Sequence, residues 1–567
     1  MKKNLIFVPI KKLFKKNFLN IYFGKIEPND IIKKKFKILE LNNDITYLNK
    51  SKDRKLMKIF YEKKMNQLTE ILNNFHKCNY ERRFWEIIIG PFLERMIFLT
   101  RDKWLSIKKN KKVLRNISCS VYEYNNRDIK ISDYSEFNKI LSEDKINNYI
   151  YFQAYKFFNI KSKKNFLFKK NFTKSIKRDF QKRSILYKLY EFLFLFIKKK
   201  QKYLFYYHYL SKKNYFLLTL NLNNLPFHYD EFNFCIKGKK NRQFLKSKLQ
   251  LDSVSKFEFF FNEMLYDFMP SSYIENFKKL HAYSDNLKFD SKIIFSSLGQ
   301  TVNDTFKIWS AIKVIDGSKL IASDHGGQFE DVIDFYSDRI YNHYLRWIKS
   351  EYKKFVHLPP NHLLNYKNKN YQNESNRILI LLPLRVRHRR SFLHRNGNEF
   401  DEYEFIKSQL IYCFEKDIDK IYFRFHPASR YKKDLERHIK LDFGTNKIDN
   451  TLKFEDTIKN YKLIIDTNLD TSWYQLFKFK VPFILFNRIE FIKINNQKKK
   501  LLKEMGDKKI YFNDLKKSKK LLNSIIKDPE SWWNSNEIDR FKEKISGFFG
   551  INEKNDLFRW INFFRNI

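Results

Sequence analysis

Residues 463–486 read LIIDTNLDTSWYQLFKFKVPFILF, and this stretch decides the fold. A short apolar run ends at Asp466 and Thr467. A polar turn follows, then a helical stretch, then a second apolar run from Val481 to Phe486. Apolar runs without polar alternation are strands buried on both faces, the signature of a parallel sheet. Upstream, ILILLP (Ile378–Pro383) and KIYFRFHP (Lys420–Pro427) repeat the pattern, with helical patterns between most of the strands. Such alternation predicts a doubly wound α/β unit.

A second set lies earlier in the chain. KIIFSSL (Lys292–Leu298) leads into a helical stretch over Phe306–Ile315 and then into KLIAS (Lys319–Ser323). Between the two sets, NYKNKNYQNESN (Asn365–Asn376) has loop composition and no apolar period. The expected architecture is therefore mixed α/β, with two Rossmann-like domains facing a cleft. An N-terminal domain covers 1–365, a linker 366–376 and a C-terminal domain 377–567. The N-terminal half opens with a strand at Leu5–Pro9. From Ser51 to Trp104 apolar residues recur at three- and four-residue steps, with Pro91 marking a kink or a fresh start. A large helical insertion is expected over about 30–290. Within it, residues 150–250 mix lysine clusters with Phe and Tyr, as amphipathic helices with solvated faces or as a surface touching anionic lipid.

Composition narrows the classes. With 567 residues, 43% of them hydrophobic, wholesale disorder is excluded; 12 Gly and 11 Pro exclude collagen-like and linker-like chains. Lys plus Arg exceed Asp plus Glu by 112 − 63 = +49. That excess suits nucleic acid or an anionic membrane surface. It also suits a coding sequence rich in A and T, because Lys, Asn, Ile, Phe and Tyr are over-used together. Cys78, Cys119, Cys235 and Cys413 form no C-x-x-C, so reduced thiols in a cytosolic protein are expected. The apolar stretch Leu5–Ile10 is too short for a signal-peptide core, and the run Phe192–Ile197 is far short of a membrane span.

Ligands of open α/β sheets bind beyond the carboxyl ends of the strands, and four such ends carry polar residues. DHGGQFED (Asp324–Asp331) follows KLIAS. Gly326 and Gly327 let backbone approach a ligand closely, and His325 suits a general base, a phosphate contact or a solvated residue of a tight turn. In FRFHP, Arg424 and His426 share one strand face and Pro427 ends the strand. They make either a phosphate clamp or a buried Arg–carboxylate pair with a capping His. Asp470, Thr471 and Ser472 stand where a helix begins, to cap it or to hold a phosphate on its free N–H groups. Arg385, Arg387, Arg389 and Arg390 follow the first C-terminal strand as a phosphate contact or a solvated basic loop. Asp417 and Asp419 precede a strand instead of following one, which favours a helix-end role over metal binding. No glycine-rich dinucleotide fingerprint and no P-loop occurs.

In combination these motifs resemble the bacterial two-Rossmann (GT-B type) transferases that use CMP- or CDP-activated donors. More closely, the chain resembles a family of transferases found in bacterial surface-carbohydrate and lipopolysaccharide gene clusters. That likeness is carried by ERRFWEIIIGPFLERMIFLTRDKW (Glu81–Trp104), the DHGG turn, the 463–486 stretch and DPESWWNSNEIDRFKEKISGFF (Asp528–Phe549). Relatives usually show Q-H-G-G, where Asp324 stands here, and a T-Y-N-x-T-T motif, whose place is taken by Asp466-Thr467-Asn468 and Thr471-Ser472.

The resemblance implies a metal-independent cytoplasmic enzyme without a resident cofactor. A nucleotide-sugar donor would be held by Arg424, His426, Pro427, Thr467, Thr471, Ser472, Arg385 and Arg387. His325 would act as base, with Glu330 or Asp324 as substitute or orienter. The acceptor would be a carbohydrate, lipid-linked or free, near an anionic inner-membrane surface. The last helices would cross back onto the N-terminal half, with Trp532, Trp533 and Trp560 as packing anchors. A nucleic-acid-binding protein using the 150–250 stretch, and a non-catalytic membrane-associated protein of envelope assembly, are the alternatives from other classes. The first leaves the strand-end motifs unexplained.

Overall fold

The computed structural model describes residues 2–8, 11–23, 35–41, 47–123, 129–160, 165–169, 201–226, 232, 248–249, 253–287, 290–327, 333–350, 354–366, 375–382, 399–426, 432–487, 496–551 and 555–567. Their strands form three five-stranded sheets, and every strand pair is parallel.

The first sheet comprises β1 (Lys2–Ile6), β2 (Phe18–Phe23), β3 (Ile38–Leu41), β4 (Ser118–Glu123) and β5 (Asn165–Lys169), in the order β3-β2-β1-β4-β5. The strand expected at Leu5–Pro9 is present as β1, three residues earlier, but it belongs to a whole sheet where the pattern beyond it suggested a helical insertion. Strands β2 and β4 hide their signal because polar residues occupy interior positions. Asn4 and Asn20 face each other in register and are fully buried. Asn4 donates to Asn20 at 2.9 Å and accepts from the Ser120 hydroxyl at 2.7 Å, so each buried amide has partners.

The expected long helices are present as well. We label α1 (Tyr47–His76), α2 (Arg82–Asn110), α3 (Lys212–Asn221), α4 (Asp304–Ile315), α5 (Thr471–Lys478) and α6 (Asp556–Arg565). Helix α2 continues through Pro91, which lies inside it, and most of its residues on every side are buried. A helix apolar all round belongs in an interior. One apolar cluster accordingly runs from Leu5 and Ile21 of the first sheet through α1 and α2 to Ile294 and Leu320 of the second.

The second sheet holds β6 (Tyr203–Tyr206), β7 (Ile293–Ser296), β8 (Lys319–Ser323), β9 (His343–Arg346) and β10 (Phe355–His357), side by side in chain order. Its far face is covered by α3 and α6. Trp560, Ile561 and Phe564 pack there on Phe205, Phe295 and Ile321, and the Trp560 indole donates to the Pro359 carbonyl at 2.9 Å. The chain's last helix thus packs on the N-terminal half. Trp533 stays in the core of the C-terminal half, and Trp532 packs against it.

The third sheet holds β11 (Ile378–Leu381), β12 (Ile421–Arg424), β13 (Leu463–Asp466), β14 (Phe483–Phe486) and β15 (Tyr511–Phe512) in the order β12-β11-β13-β14-β15. The order reverses between β11 and β13, and such a reversal opens a crevice at the carboxyl ends of the two strands. Of the proposed linker, 367–374 lie outside the described residues.

Candidate functional site

The carboxyl ends of the second and third sheets meet. Strand β8 ends in Ser323 and passes into Asp324, His325, Gly326 and Gly327. Strand β13 ends in Asp466 and passes through Asp470 into α5. The two turns touch: the Gly327 N–H donates to the Thr471 hydroxyl at 3.0 Å. This close approach requires a glycine at 327 and leaves little room beside 326. A Cβ at Gly327 would lie 2.3 Å from the Tyr474 ring, and one at Gly326 would lie 3.1 Å from the Thr471 hydroxyl. The HGG turn is therefore a docking joint between halves.

His325 is exposed at this joint. Asp324 is not available to orient it. Its carboxylate is buried, pairs with Arg346 at 3.2 Å and accepts the Trp347 N–H at 3.2 Å. The carboxylate holds the Arg346 guanidinium above its ordinary pKa against the cost of burial. A pair buried on both sides fixes the end of β8 against the end of β9. Beside it, the hydroxyls of Ser297 and Ser323 lie 2.7 Å apart, and Asn361 donates to Ser297 at 3.2 Å.

On the other side, Arg424 is buried. It donates to the Asp449 carboxylate at 2.9 Å and to the Thr451 carbonyl at 2.7 Å. Of the two readings of its strand, the buried Arg–carboxylate pair is the arrangement found. Two residues on, His426 is half-buried. Burial lowers its pKa, and the negative charge of Asp470 only partly opposes this. His426 is thus a neutral imidazole at pH 7, beside the start of α5.

At the sheet reversal, the Thr467 hydroxyl donates to the Leu381 carbonyl at 2.7 Å and ties β13 to β11. Asp466 accepts the Ser472 hydroxyl and the Asn468 N–H. Asp470 caps α5 by accepting the Thr471 N–H at 2.8 Å. Thr467, Thr471 and Ser472 therefore build the crevice and close the joint. Asp417 pairs with Lys420 at 2.6 Å before β12, as a helix-end residue does. Glu330, Arg385, Arg387, Arg389, Arg390 and Pro427 lie outside the described residues.

Sequence reasoning missed Arg346, Asp449 and Asn361. Arg346 ends an apolar strand just as Arg424 does, which was a usable signal; the partners Asp449 and Asn361 sit in loops without one. Among the described residues no group of three His, Cys, Asp or Glu is placed to hold a metal ion.

A family model described as LIC12162 family transferase matches residues 9–564. Comparison with curated proteins gave no match. Among solved structures, the crystal structure of the pneumococcal O-GlcNAc transferase GtfA in complex with UDP and GlcNAc is similar at a TM-score of 0.32 and 11% identity. The match covers 51% of this chain and 59% of that one.

Proposed function

The chain belongs to the LIC12162 family of transferases, and from that premise we propose that it moves a sugar-type group from a CMP- or CDP-like nucleotide donor to a cell-surface carbohydrate acceptor, as in lipopolysaccharide or O-antigen synthesis. One observation supports the reading: the exposed His325 lies two residues before Gly327, which meets Thr471, and the half-buried His426 of the other half lies near enough to Asp470, the residue before Thr471, to feel its charge.

In this reading the third sheet takes the donor. The nucleotide occupies the crevice between β11 and β13. Its phosphate lies against His426 and the start of α5, with Arg385 and Arg387 completing the contact. A neutral imidazole there donates one N–H, and the partial positive charge of the helix start adds to it. Arg424 and Asp449 act as positioning residues that hold the strand end carrying His426.

The acceptor approaches from the second sheet. Its hydroxyl oxygen bonds to the anomeric carbon of the donor sugar, while the bond from that carbon to the phosphate oxygen breaks. The phosphate leaves with the electron pair, and the hydroxyl proton passes to His325. No metal ion or resident cofactor enters these steps, so transfer should persist in a chelator. The reading extends to an anionic inner-membrane surface, where a lipid-linked acceptor would be found.

The test is calorimetry on His426→Ala with CMP, CDP and UDP. The variant should lose most nucleotide affinity, and unchanged affinity would sink the donor site. His325→Ala should keep nucleotide affinity and lose transfer; retained transfer removes the base assignment.

A further inference from the structure

Strand β6 ends in an unusual turn. Tyr207 has φ 51° and Tyr209 has φ 58°, both in the left-handed region that bulky residues avoid and glycine enters without strain. No glycine stands in this stretch, YYHYL (Tyr206–Leu210). The turn is held by contacts from outside it. Asn361 donates to the His208 carbonyl at 2.9 Å, and Asn365 donates to the Tyr209 carbonyl at 2.8 Å. The Asn365 side-chain oxygen accepts the Ser211 N–H. The His208 ring stacks on Tyr215 at 4.2 Å, and its Nδ1 accepts the Leu210 N–H at 3.0 Å. Strain persists in a fold only where the surroundings over-determine it, and such sites cluster where ligands bind.

The turn leaves the Tyr207 side chain outside the core. The residue is 46% exposed although its neighbours Phe205 and Leu210 are buried. The ring of Tyr206 supports it edge-on, with centroids 4.6 Å apart and planes at 75°. The Tyr207 carbonyl accepts the Ser297 N–H at 3.3 Å, which fixes the turn at the carboxyl edge of the sheet, next to the strand end that carries Ser297. From β6 to β8, which leads into His325, are two strand spacings, roughly 10 Å. That is about the reach of a disaccharide.

We propose that Tyr207 is the platform on which the acceptor stacks the apolar face of a sugar ring, with the partly exposed Ser297 at the neighbouring strand end. An exposed aromatic face beside polar groups offers a pyranose both an apolar surface and hydrogen-bond partners. The proposal rests on the reading that the second sheet takes the acceptor.

The experiment uses the full chain and three probes, the methyl glycosides of glucose, galactose and N-acetylglucosamine, followed by saturation-transfer NMR. At least one should bind. Tyr207→Gly should bind it about tenfold more weakly, and Tyr207→Phe should bind it like the unaltered chain. Because glycine accepts the left-handed turn, Tyr207→Gly should melt no lower than the unaltered chain. A glycine variant that binds as before, one that loses stability along with binding, or the absence of any glycoside binding would each overturn the proposal. CMP and CDP affinity, measured alongside, should not change. If the unaltered chain binds neither nucleotide, the donor reading fails and the platform stands on its own result.

Discussion

A methyl group at Gly327 has nowhere to go. It would sit 2.3 Å from the Tyr474 ring and 3.1 Å from the Asp470 carbonyl carbon. Tyr474 is fully buried and cannot swing away cheaply. At Gly326 the nearest atom is a hydroxyl at 3.1 Å, on a side chain that can give. Gly327→Ala should therefore separate the two turns and abolish transfer, at an overpacking cost of about 1–3 kcal/mol. Gly326→Ala should keep most activity. Thermal melting and transfer assays on both variants check this, and equal effects would show that the joint does not depend on close approach at Gly327. His76 permits a second prediction on this scale. It is buried, its Nε2 donates to the Tyr273 carbonyl at 2.9 Å, and burial pulls its pKa from 6.5 to about 4. Above pH 6.5 the ring is neutral in both folded and unfolded chains, so its stabilising term is complete. As pH falls from 6.5 towards 4, only the unfolded chain takes up the proton, and about 3 kcal/mol is lost. His76→Gln keeps the donor to Tyr273 but cannot titrate, so its melting temperature should fall less steeply over that window. A parallel decline would assign the acid loss to other groups.

Among the elements, α6 lies in the core farthest from it along the chain. Trp560 meets Phe295 at 5.5 Å with planes at 88°, and Phe564 meets Phe205 at 4.9 Å. Trp560→Ala opens a cavity under the second sheet and should cost about 3–5 kcal/mol. Urea denaturation should show the midpoint falling without a change of slope, and an unchanged midpoint would mean that α6 is not part of that core. Legibility in the sequence follows the same physics. Strands β7, β8, β11, β13 and β14 are apolar because helices cover both faces, so KLIAS and LIID stand out by composition alone. Strands β2 and β4 carry Asn20 and Ser120 in the interior, satisfied by Asn4 across the sheet, and no apolar run marks them. The candidate site was legible as a pattern where polar residues follow an apolar strand, as His325 and His426 do. What Arg424 and Asp324 do there was not, because Asp449 and Arg346 reach them from distant parts of the chain and no local pattern announces a partner.

For the molecule as a whole, the charge excess has to be placed. Several buried charges in the described residues sit in pairs: Lys64 with Glu258, Lys307 with Asp304, Arg346 with Asp324, Arg424 with Asp449. Each pair removes one charge of each sign, so these pairs leave the difference of +49 untouched. The solvent-facing lysines carry it, as Lys2, Lys3, Lys11, Lys12 and Lys16 already do near the start of the chain. Two origins of the excess lead to different behaviour. Lysines accumulated through codon usage and scattered over the surface are screened at physiological salt, where the Debye length is about 8 Å. Lysines gathered on one face add roughly 1 kcal/mol each near an anionic bilayer. No described helix is long and apolar enough to cross a membrane, so contact through these lysines would be electrostatic. The expected outcome is co-sedimentation with phosphatidylglycerol vesicles at ~0.15 M salt, release at ~1 M salt, where the Debye length shrinks to about 3 Å, and no binding to phosphatidylcholine vesicles. A single-stranded oligonucleotide should compete poorly at the lower salt. Binding to neither at ~0.15 M would assign the excess to composition alone, whereas tight binding to the oligonucleotide in preference to vesicles would move the lysine-rich surface from a membrane role to a nucleic-acid one.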